Sequence, residues 1–300
     1  MAGLPLEDNF TDIIGKAQRG LGLSDAEFAR RADVSIEQLR AAKSGKIDEG
    51  VIRKLASVLS LGPDALVVSA QQTWYPKNPG VFITQGGTPA PPIAEIEGLA
   101  CFNTPFDGMT VNSFLMFDPS SRSAAAFDTG TDCDLMVAFA RDRNLKIESI
   151  FLTHTHGDHV CELDRLKELT DAAAYVSERE PMAGATPFAD GRVFEWGKSA
   201  TAVISGMRAL RIEARRTSGH ARGGTTFVVT GLPKRLAIVG DALFAGSMGG
   251  GMVNYAEALR TNRENIFTLP DDTVICPGHG PLTTVGEEKQ HNPFYPEFQK

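Results

Sequence analysis

The sequence lacks several features that would place it in other classes of protein. It has four cysteines in 300 residues, at positions 101, 133, 161 and 276 and without a C-x-x-C pair, which excludes a disulfide framework and a zinc ribbon. No apolar run approaches the roughly 18 residues of a membrane-spanning helix. The first residues carry acids where a signal peptide has a basic region and then an apolar one. We therefore expect a cytoplasmic protein without membrane contact.

Basic residues are also in deficit. Thirty Lys and Arg stand against 37 Asp and Glu, a net charge of -7, and such a surface repels nucleic-acid phosphates and anionic lipid headgroups. With 42% hydrophobic residues, the chain can bury a large core in one domain or two. The composition indicates a globular protein that acts on something other than a polyanion.

Residues 1–67 predict an all-α domain, because they lack strand signals and contain short helical patterns. A capping box, S-D-A-E at 24–27, opens one helix; residues 36–43 form a second, and a third starts at 51 with apolar residues at helical spacing. The order of helix, tight turn and helix resembles the lambda-repressor-like helix-turn-helix family. The matching positions are Ala29, Val34, Ser35, Gly45 and Leu55, with Asp33 where glycine is usual.

The charge of this segment favours packing or pairing of protomers over DNA binding. Residues 1–66 hold nine Lys and Arg against ten Asp and Glu. Glu37 lies near the start of the helix that would read the bases, where it repels phosphate unless it accepts from a cytosine amino group. We expect a helical packing or homo-oligomerisation module, with DNA binding as the alternative.

The next two segments differ in texture. Residues 68–98 are rich in Pro, Gly and Gln, which predicts a linker and an extended segment leading into the next domain. Residues 99–300 alternate short β runs with helical stretches, which indicates an α/β domain with helices packed outside sheets.

The stretch T-H-T-H-G-D-H at 153–159 follows a predicted buried strand, on the loop where α/β domains commonly place chemistry. His154 and His156 are two residues apart and can point the same way in extended backbone. Gly157 permits a turn, after which Asp158 and His159 start a helix and face a second point. One loop thus offers ligands for two adjacent ions.

Three further ligand candidates follow glycines at other strand ends: His220, Asp241 and His279. Five of the six histidines therefore occupy these loops. Any one of them alone is explained as a hydrogen-bonded loop or core histidine. Together they predict a metal centre, because imidazoles and carboxylates that converge in a buried place without a cation would be costly.

The series H-x-H-x-D-H, G-H, G-D and P-G-H-G, in this order, resembles the metallo-β-lactamase fold superfamily over about residues 99–300. The resemblance implies an αββα sandwich, one ion on His154, His156 and His220, a second on Asp158, His159 and His279, and Asp241 bridging both. This donor set suits Zn²⁺ first and also Fe or Mn.

The tail, with L-F-A-G-S-M-G after Asp241 and N-P-F at 292–294, resembles the glyoxalase-II-like hydrolases. A small acyl thioester or related ester is then the expected substrate. The mechanism that this resemblance implies uses the two ions to supply a hydroxide for attack on the carbonyl, which Asp158 would orient and relieve of its proton. Arg222 is a candidate contact for an anionic substrate group, and Cys161 is interpreted as a packing residue.

Two other functions stay open. One is an iron persulfide dioxygenase that uses His154, His220 and Asp241 as a two-His one-carboxylate triad. Persulfide dioxygenases and glyoxalase-II-like hydrolases both commonly have Arg after S-x-G, where this chain has S-M-G-G-G at 247–251. The missing Arg counts against the dioxygenase and also weakens the glyoxalase assignment. The other is a DNA-binding regulator whose metal-dependent domain senses a ligand.

Overall fold

The computed structural model describes residues 3–85, 96–118, 121–196 and 210–299. It begins with five helices. Several have polar N-caps that satisfy free backbone N–H groups: Asn9 caps the first, Ser24 the second and Ser35 the third. Their bounds are α1 Phe10–Gly20, α2 Asp25–Arg31, α3 Ile36–Lys43, α4 Glu49–Leu59 and α5 Pro63–Gln71.

Two sheets face each other. The first has its strands in chain order, β1 Phe82–Thr84, β2 Leu99–Phe106, β3 Met109–Phe117, β4 Ser123–Phe127, β5 Lys146–Phe151, β6 Ala173–Ser177 and β7 Thr186–Phe188. The second runs in the order β13-β12-β11-β10-β9-β8. Its strands are β8 Val193–Trp196, β9 Leu210–Arg216, β10 Thr225–Thr230, β11 Leu236–Gly240, β12 Val274–Pro277 and β13 Thr283–Thr284.

The α-helices described in residues 96–118, 121–196 and 210–299 are α6 Asp134–Asp142, α7 Gly157–Val160, α8 Leu163–Thr170, α9 Tyr255–Asn265 and α10 Val285–His291, and a short 3-10 helix follows at Pro296–Phe298. Aromatic side chains fill the space between the sheets, with the rings of Phe127, Phe151 and Phe227 5.4–5.6 Å apart. On the outer face of the first sheet, Leu115 and Ile150 pack with Met136 of α6. This side of the sandwich is one sheet covered by helices.

The N-terminal helices cover the second sheet. Ile14 of α1 and Leu55 of α4 belong to the same buried cluster as Val239 of β11 and Ile275 of β12, together with residues of α9. Burial of these apolar faces is what holds the helices to the sheet. The predicted αββα fold with an all-helical N-terminal segment is therefore confirmed.

The first residues of the predicted linker, 68–98, are helical or packed on α10. Helix α5 continues to Gln71, and the Trp74 ring then stacks on His291 of α10 at 4.8 Å between ring centroids. The backbone N–H of Lys77 donates to Glu287 at 2.9 Å. Residues 86–95 of the predicted linker lie outside the described residues, and the three-part division stays a prediction.

The helix-turn-helix resemblance also stays a prediction. Asp33, at the position where glycine is usual, has a φ of 50°, a left-handed conformation that Asp tolerates better than most residues. The side chain of Glu27 pairs with Arg31 instead of returning to the Ser24 backbone, so the capping box predicted there is half formed. In the described part of the chain, no helix is long and apolar enough to cross a membrane.

Candidate metal centre

The loop after β5 is fixed in place by a buried carboxylate on the neighbouring strand. Asp128, which follows β4, accepts from the backbone N–H and the hydroxyl of Thr153, each at 2.8 Å. The chain is extended at His156, the N-cap of α7. As a result, the rings of His154 and His156 lie 4.5 Å apart between centroids, on the same side of the loop.

The second sheet contributes the other candidates from the ends of its strands. His220 lies between β9 and β10, Asp241 follows β11 directly, and His279 comes two residues after β12. The structure brings all the predicted metal ligands into two adjacent groups, in each of which the ligand atoms lie within 4.8 Å of one another. The first is His154, His156, His220 and Asp241, and the second is Asp158, His159 and His279.

Asp241 lies between the two groups. Its Oδ2 is 3.4 Å from Nε2 of His220 and 4.0 Å from Nε2 of His154. Its Oδ1 is 3.3 Å from Nε2 of His159 and 3.4 Å from Nε2 of His279. Each oxygen thus faces one group, the arrangement that a bridging carboxylate requires.

The ring nitrogens that face away from the centre have polar neighbours. Nδ1 of His159 lies 2.8 Å from Oδ2 of Asp128, and Nδ1 of His154 lies 3.0 Å from the Thr153 hydroxyl. Two others contact backbone carbonyls, His220 at Gly250 and His279 at Thr110, at 2.9 and 2.6 Å. These contacts orient the rings so that Nε2 points inward, as outer partners of metal ligands commonly do.

The inward-facing atoms fit a cation. Nε2 of His154, Nε2 of His159 and Oδ1 of Asp241 are buried, and among the described residues they have no hydrogen-bond partner. Leaving such groups unpaired costs free energy, and a cation between them would remove that cost. The ligand set of imidazoles and carboxylates, together with the fold, implies divalent metal ions.

Charge within the cluster couples metal binding to protons. Burial lowers the pKa of His154 well below its ordinary value, which favours the neutral, ligating imidazole. Burial also acts to lower the pKa of His159, but the carboxylates of Asp128 and Asp241 outweigh it and raise that pKa to about 10. The pKa of His279 rises in the same way to about 11. A metal must displace these protons, so its affinity decreases in acid.

Gly278 leaves room for the centre. A Cβ atom at this position would collide with Oδ1 of Asp241 and lie 2.7 Å from the His159 ring. The glycine before His279 is therefore required by the close approach of the loop to the ligands.

Two weaker candidates lie outside the cluster. The Arg222 side chain is exposed, and its contact with a substrate anion stays a prediction. Cys161 is exposed, and its thiol donates to the Gly130 carbonyl at 3.3 Å. Partial burial, together with the charge of Glu162, raises the pKa of the thiol, which favours its protonated form.

Sequence reasoning missed Asp128, the partner of His159 and Thr153. The signal was an acid placed directly after a strand, in A-A-A-F-D. Because β4 and β5 are parallel neighbours, their carboxyl ends meet, and an acid at one end can reach the loop at the other.

Comparison with known proteins finds relatives that are named for metal-dependent hydrolysis. Residues 107–279 match the family model described as metallo-beta-lactamase superfamily. The probable metallo-hydrolase YqgX of Bacillus subtilis is 30% identical over 209 residues, 65% of this chain and 96% of that protein. The hydroxyacylglutathione hydrolase GloC of Haemophilus influenzae is 26% identical over 208 residues, 63% and 95% respectively. The crystal structure of ETHE1 from Myxococcus xanthus shares the fold with a TM-score of 0.55 at 23% identity, over 64% of this chain and 83% of that one. The chain belongs to the metallo-beta-lactamase superfamily.

Proposed function

We propose that the protein is a binuclear metal-dependent hydrolase of small acyl thioesters or related esters. The observation that carries the proposal is the position of the buried Asp241 carboxylate, which has one oxygen toward each ligand group. Similar proteins named metallo-hydrolase and hydroxyacylglutathione hydrolase support hydrolysis as the reaction. Hydrolysis of a thioester in particular is a more specific proposal than metal-dependent hydrolysis in general.

Divalent ions bound at the two groups would supply Lewis acidity and a water molecule of lowered pKa. The chain's own residues hold the geometry and the proton. Asp158 lies at the start of α7, with its Oδ2 3.3 Å from Nε2 of His279 and 3.5 Å from Nε2 of His159. It is slightly more exposed than Asp241. We assign to Asp158 the orientation of the attacking water and the uptake of its proton.

Zinc is the proposed metal, because borderline nitrogen and oxygen ligands suit it and it needs no redox partner. Iron in a mononuclear centre would use His154, His220 and Asp241 and leave the second group, with its buried Nε2 of His159, without a function. The completeness of that second group therefore favours the binuclear hydrolase over a dioxygenase.

Elemental analysis of protein purified without added metal tests the proposal. About two zinc ions per chain, with hydrolysis in a thioester panel that begins with lactoylglutathione, would support it. About one iron per chain with oxygen uptake on a persulfide would refute it in favour of the dioxygenase. The Asp158→Asn variant, assayed at zinc concentrations that fill both ligand groups, should lose turnover, because it lacks one ligand of the second ion and the acceptor of the water's proton.

A further inference from the structure

The N-terminal segment before α1 lies against the loop that carries His279. Backbone atoms of this segment pack on the loop that holds His279: a Cβ at Gly280 would lie 3.2 Å from the backbone N of Glu7 and 3.4 Å from the Pro5 carbonyl. The Tyr75 hydroxyl donates to the Leu4 carbonyl at 2.5 Å. One end of the segment is thus held at Leu4, and the other is held at Asp8.

Asp8 and Lys16 fasten the segment to the loop after Asp241. Asp8 is 9% exposed and accepts from Lys16 and from the Ser247 hydroxyl. The Lys16 ammonium also donates to the Met248 carbonyl at 2.9 Å. Since Asp8 and Lys16 neutralise each other, the charge that this segment adds beside the centre is that of Glu7.

The Glu7 side chain is half-buried and starts beside the loop of His279, with its Cβ 3.7 Å from the position that a Cβ would take at Gly280. Burial raises its pKa, while the charges of His279, Asp8, Lys16 and Asp241 also act on it. Two of these four are metal-ligand candidates, so the carboxylate shares the electrostatic environment of the centre. It lies outside residues 107–279, the part of the chain that matches the superfamily model.

We propose that residues 4–8 form a wall of the substrate cleft beside His279, where the Glu7 carboxylate selects against anionic groups of the substrate and favours neutral or cationic ones. The inference rests on the proposed thioester hydrolysis and favours thioesters of uncharged or positively charged thiols. Lactoylglutathione, whose glutathione part has a net negative charge, is then expected to be the slower member of the thioester panel. The physical basis is the Coulomb interaction between the half-buried Glu7 carboxylate and a charge on the substrate's thiol. Water screens this interaction only in part, because the carboxylate is partly desolvated.

The test compares three acetyl thioesters whose thiols have similar length and different charge: thiocholine, 2-mercaptoethanol and 2-mercaptoethanesulfonate. Full-length, metal-loaded wild type, Glu7→Gln and Glu168→Gln are assayed at pH 8. Glu168 is exposed on α8, on the opposite helix layer, and controls for the change in net charge. Thermal melting of each variant controls for folding.

In Glu7→Gln we expect kcat/KM to rise about fivefold for the sulfonate, to fall about fivefold for thiocholine and to change less than about twofold for the neutral thioester. Glu168→Gln should leave all three within about twofold of wild type. Equal changes for the three thioesters, or no change, would overturn the selective role of Glu7.

A binding measurement separates this inference from the proposed function. The three free thiols are titrated into cobalt-loaded protein, and the thiolate-to-cobalt absorption band gives their dissociation constants. The same charge-dependent pattern is expected in Glu7→Gln. If wild type hydrolyses none of the thioesters, the proposed function fails, while the titration still supports or overturns the role of Glu7.

Discussion

Replacing Asp128 with asparagine tests how the outer contacts of the metal ligands set the centre. Asp128 is 2% exposed, and its two oxygens accept from the Thr153 backbone, the Thr153 hydroxyl and His159. Asparagine has the same shape and also tolerates the φ of 55° at this position. The change therefore alters hydrogen bonding without adding backbone strain.

Asparagine has one acceptor oxygen in place of two. If that oxygen keeps the backbone N–H of Thr153, the amide NH₂ stands where Oδ2 was, 2.8 Å from Nδ1 of His159. Nδ1 must then accept, and in a neutral imidazole the proton moves to Nε2. Nε2 is the atom that faces Asp158 and Asp241, so the favoured tautomer is the wrong one for a metal ligand. We expect the affinity of the second group to fall by about 10- to 100-fold, or about 1.4–2.7 kcal/mol.

Competition with a chromophoric zinc chelator measures this loss. Metal-free wild type, Asp128→Asn and Asp272→Asn are titrated with zinc, and two dissociation constants are fitted for each. Asp272 is exposed and controls for loss of an acid. The loss of zinc affinity should concern mainly one of the two ions. Urea unfolding of the metal-free proteins shows whether the substitution has also destabilised the fold. Two constants within about twofold of wild type would refute the tautomer argument.

Three further changes test the centre and its support. Asp241→Asn should remove one oxygen ligand shared by the two groups and reduce the zinc content of a still-folded protein; a metal-replete, active variant would disprove the bridging role. Gly278→Ala should also lower the zinc content, because the added methyl group occupies space beside Oδ1 of Asp241, and unchanged zinc per chain would contradict the packing argument. Burial raises the pKa of Glu288 to about 8, above the unfolded value, so its contribution to stability is complete below about pH 4.5 and is lost as pH rises through 8. From pH 6 to pH 9 wild type should lose about 2–3 kcal/mol more than Glu288→Gln in urea unfolding, and parallel pH curves would show that the carboxyl is ionised already at pH 6.

The metal ligands could be predicted from sequence because each lies in a loop beside a recognisable apolar strand. The strand before Asp241 is buried along its whole length, and the strand before His154 is buried at its last two residues. The loops that follow these strands lie at the same edge of the sandwich. The pairing of Asp128 with His159 could not be predicted in the same way. It depends on which strand lies beside β5 and in which register, and neither is encoded in the local pattern.

The N-terminal helices show a second limit of local patterns. Their caps and turns, such as Ser35 with Gln38, follow from neighbouring residues and were predicted in part. Where their apolar faces pack depends on β10, β11 and β12, which begin more than 150 residues after the end of α5. The resemblance to a helix-turn-helix domain therefore concerned only the caps, turns and spacing of the helices. It could not indicate that the helices pack on the second sheet.

The shared core explains why this extension is tied to the hydrolase fold. Val239 and Ile275 are fully buried in the same cluster as Ile14 and Leu55, so without α1 and α4 the second sheet would expose an apolar face to water, at about 25 cal/mol per Å². An independently moving DNA-binding unit would have to leave that face each time it moved. Packing of α1 and α4 on the sheet instead brings the residues just before α1 to the loops of Asp241 and His279. The helices that stabilise the sandwich thus also place Glu7 beside its metal centre.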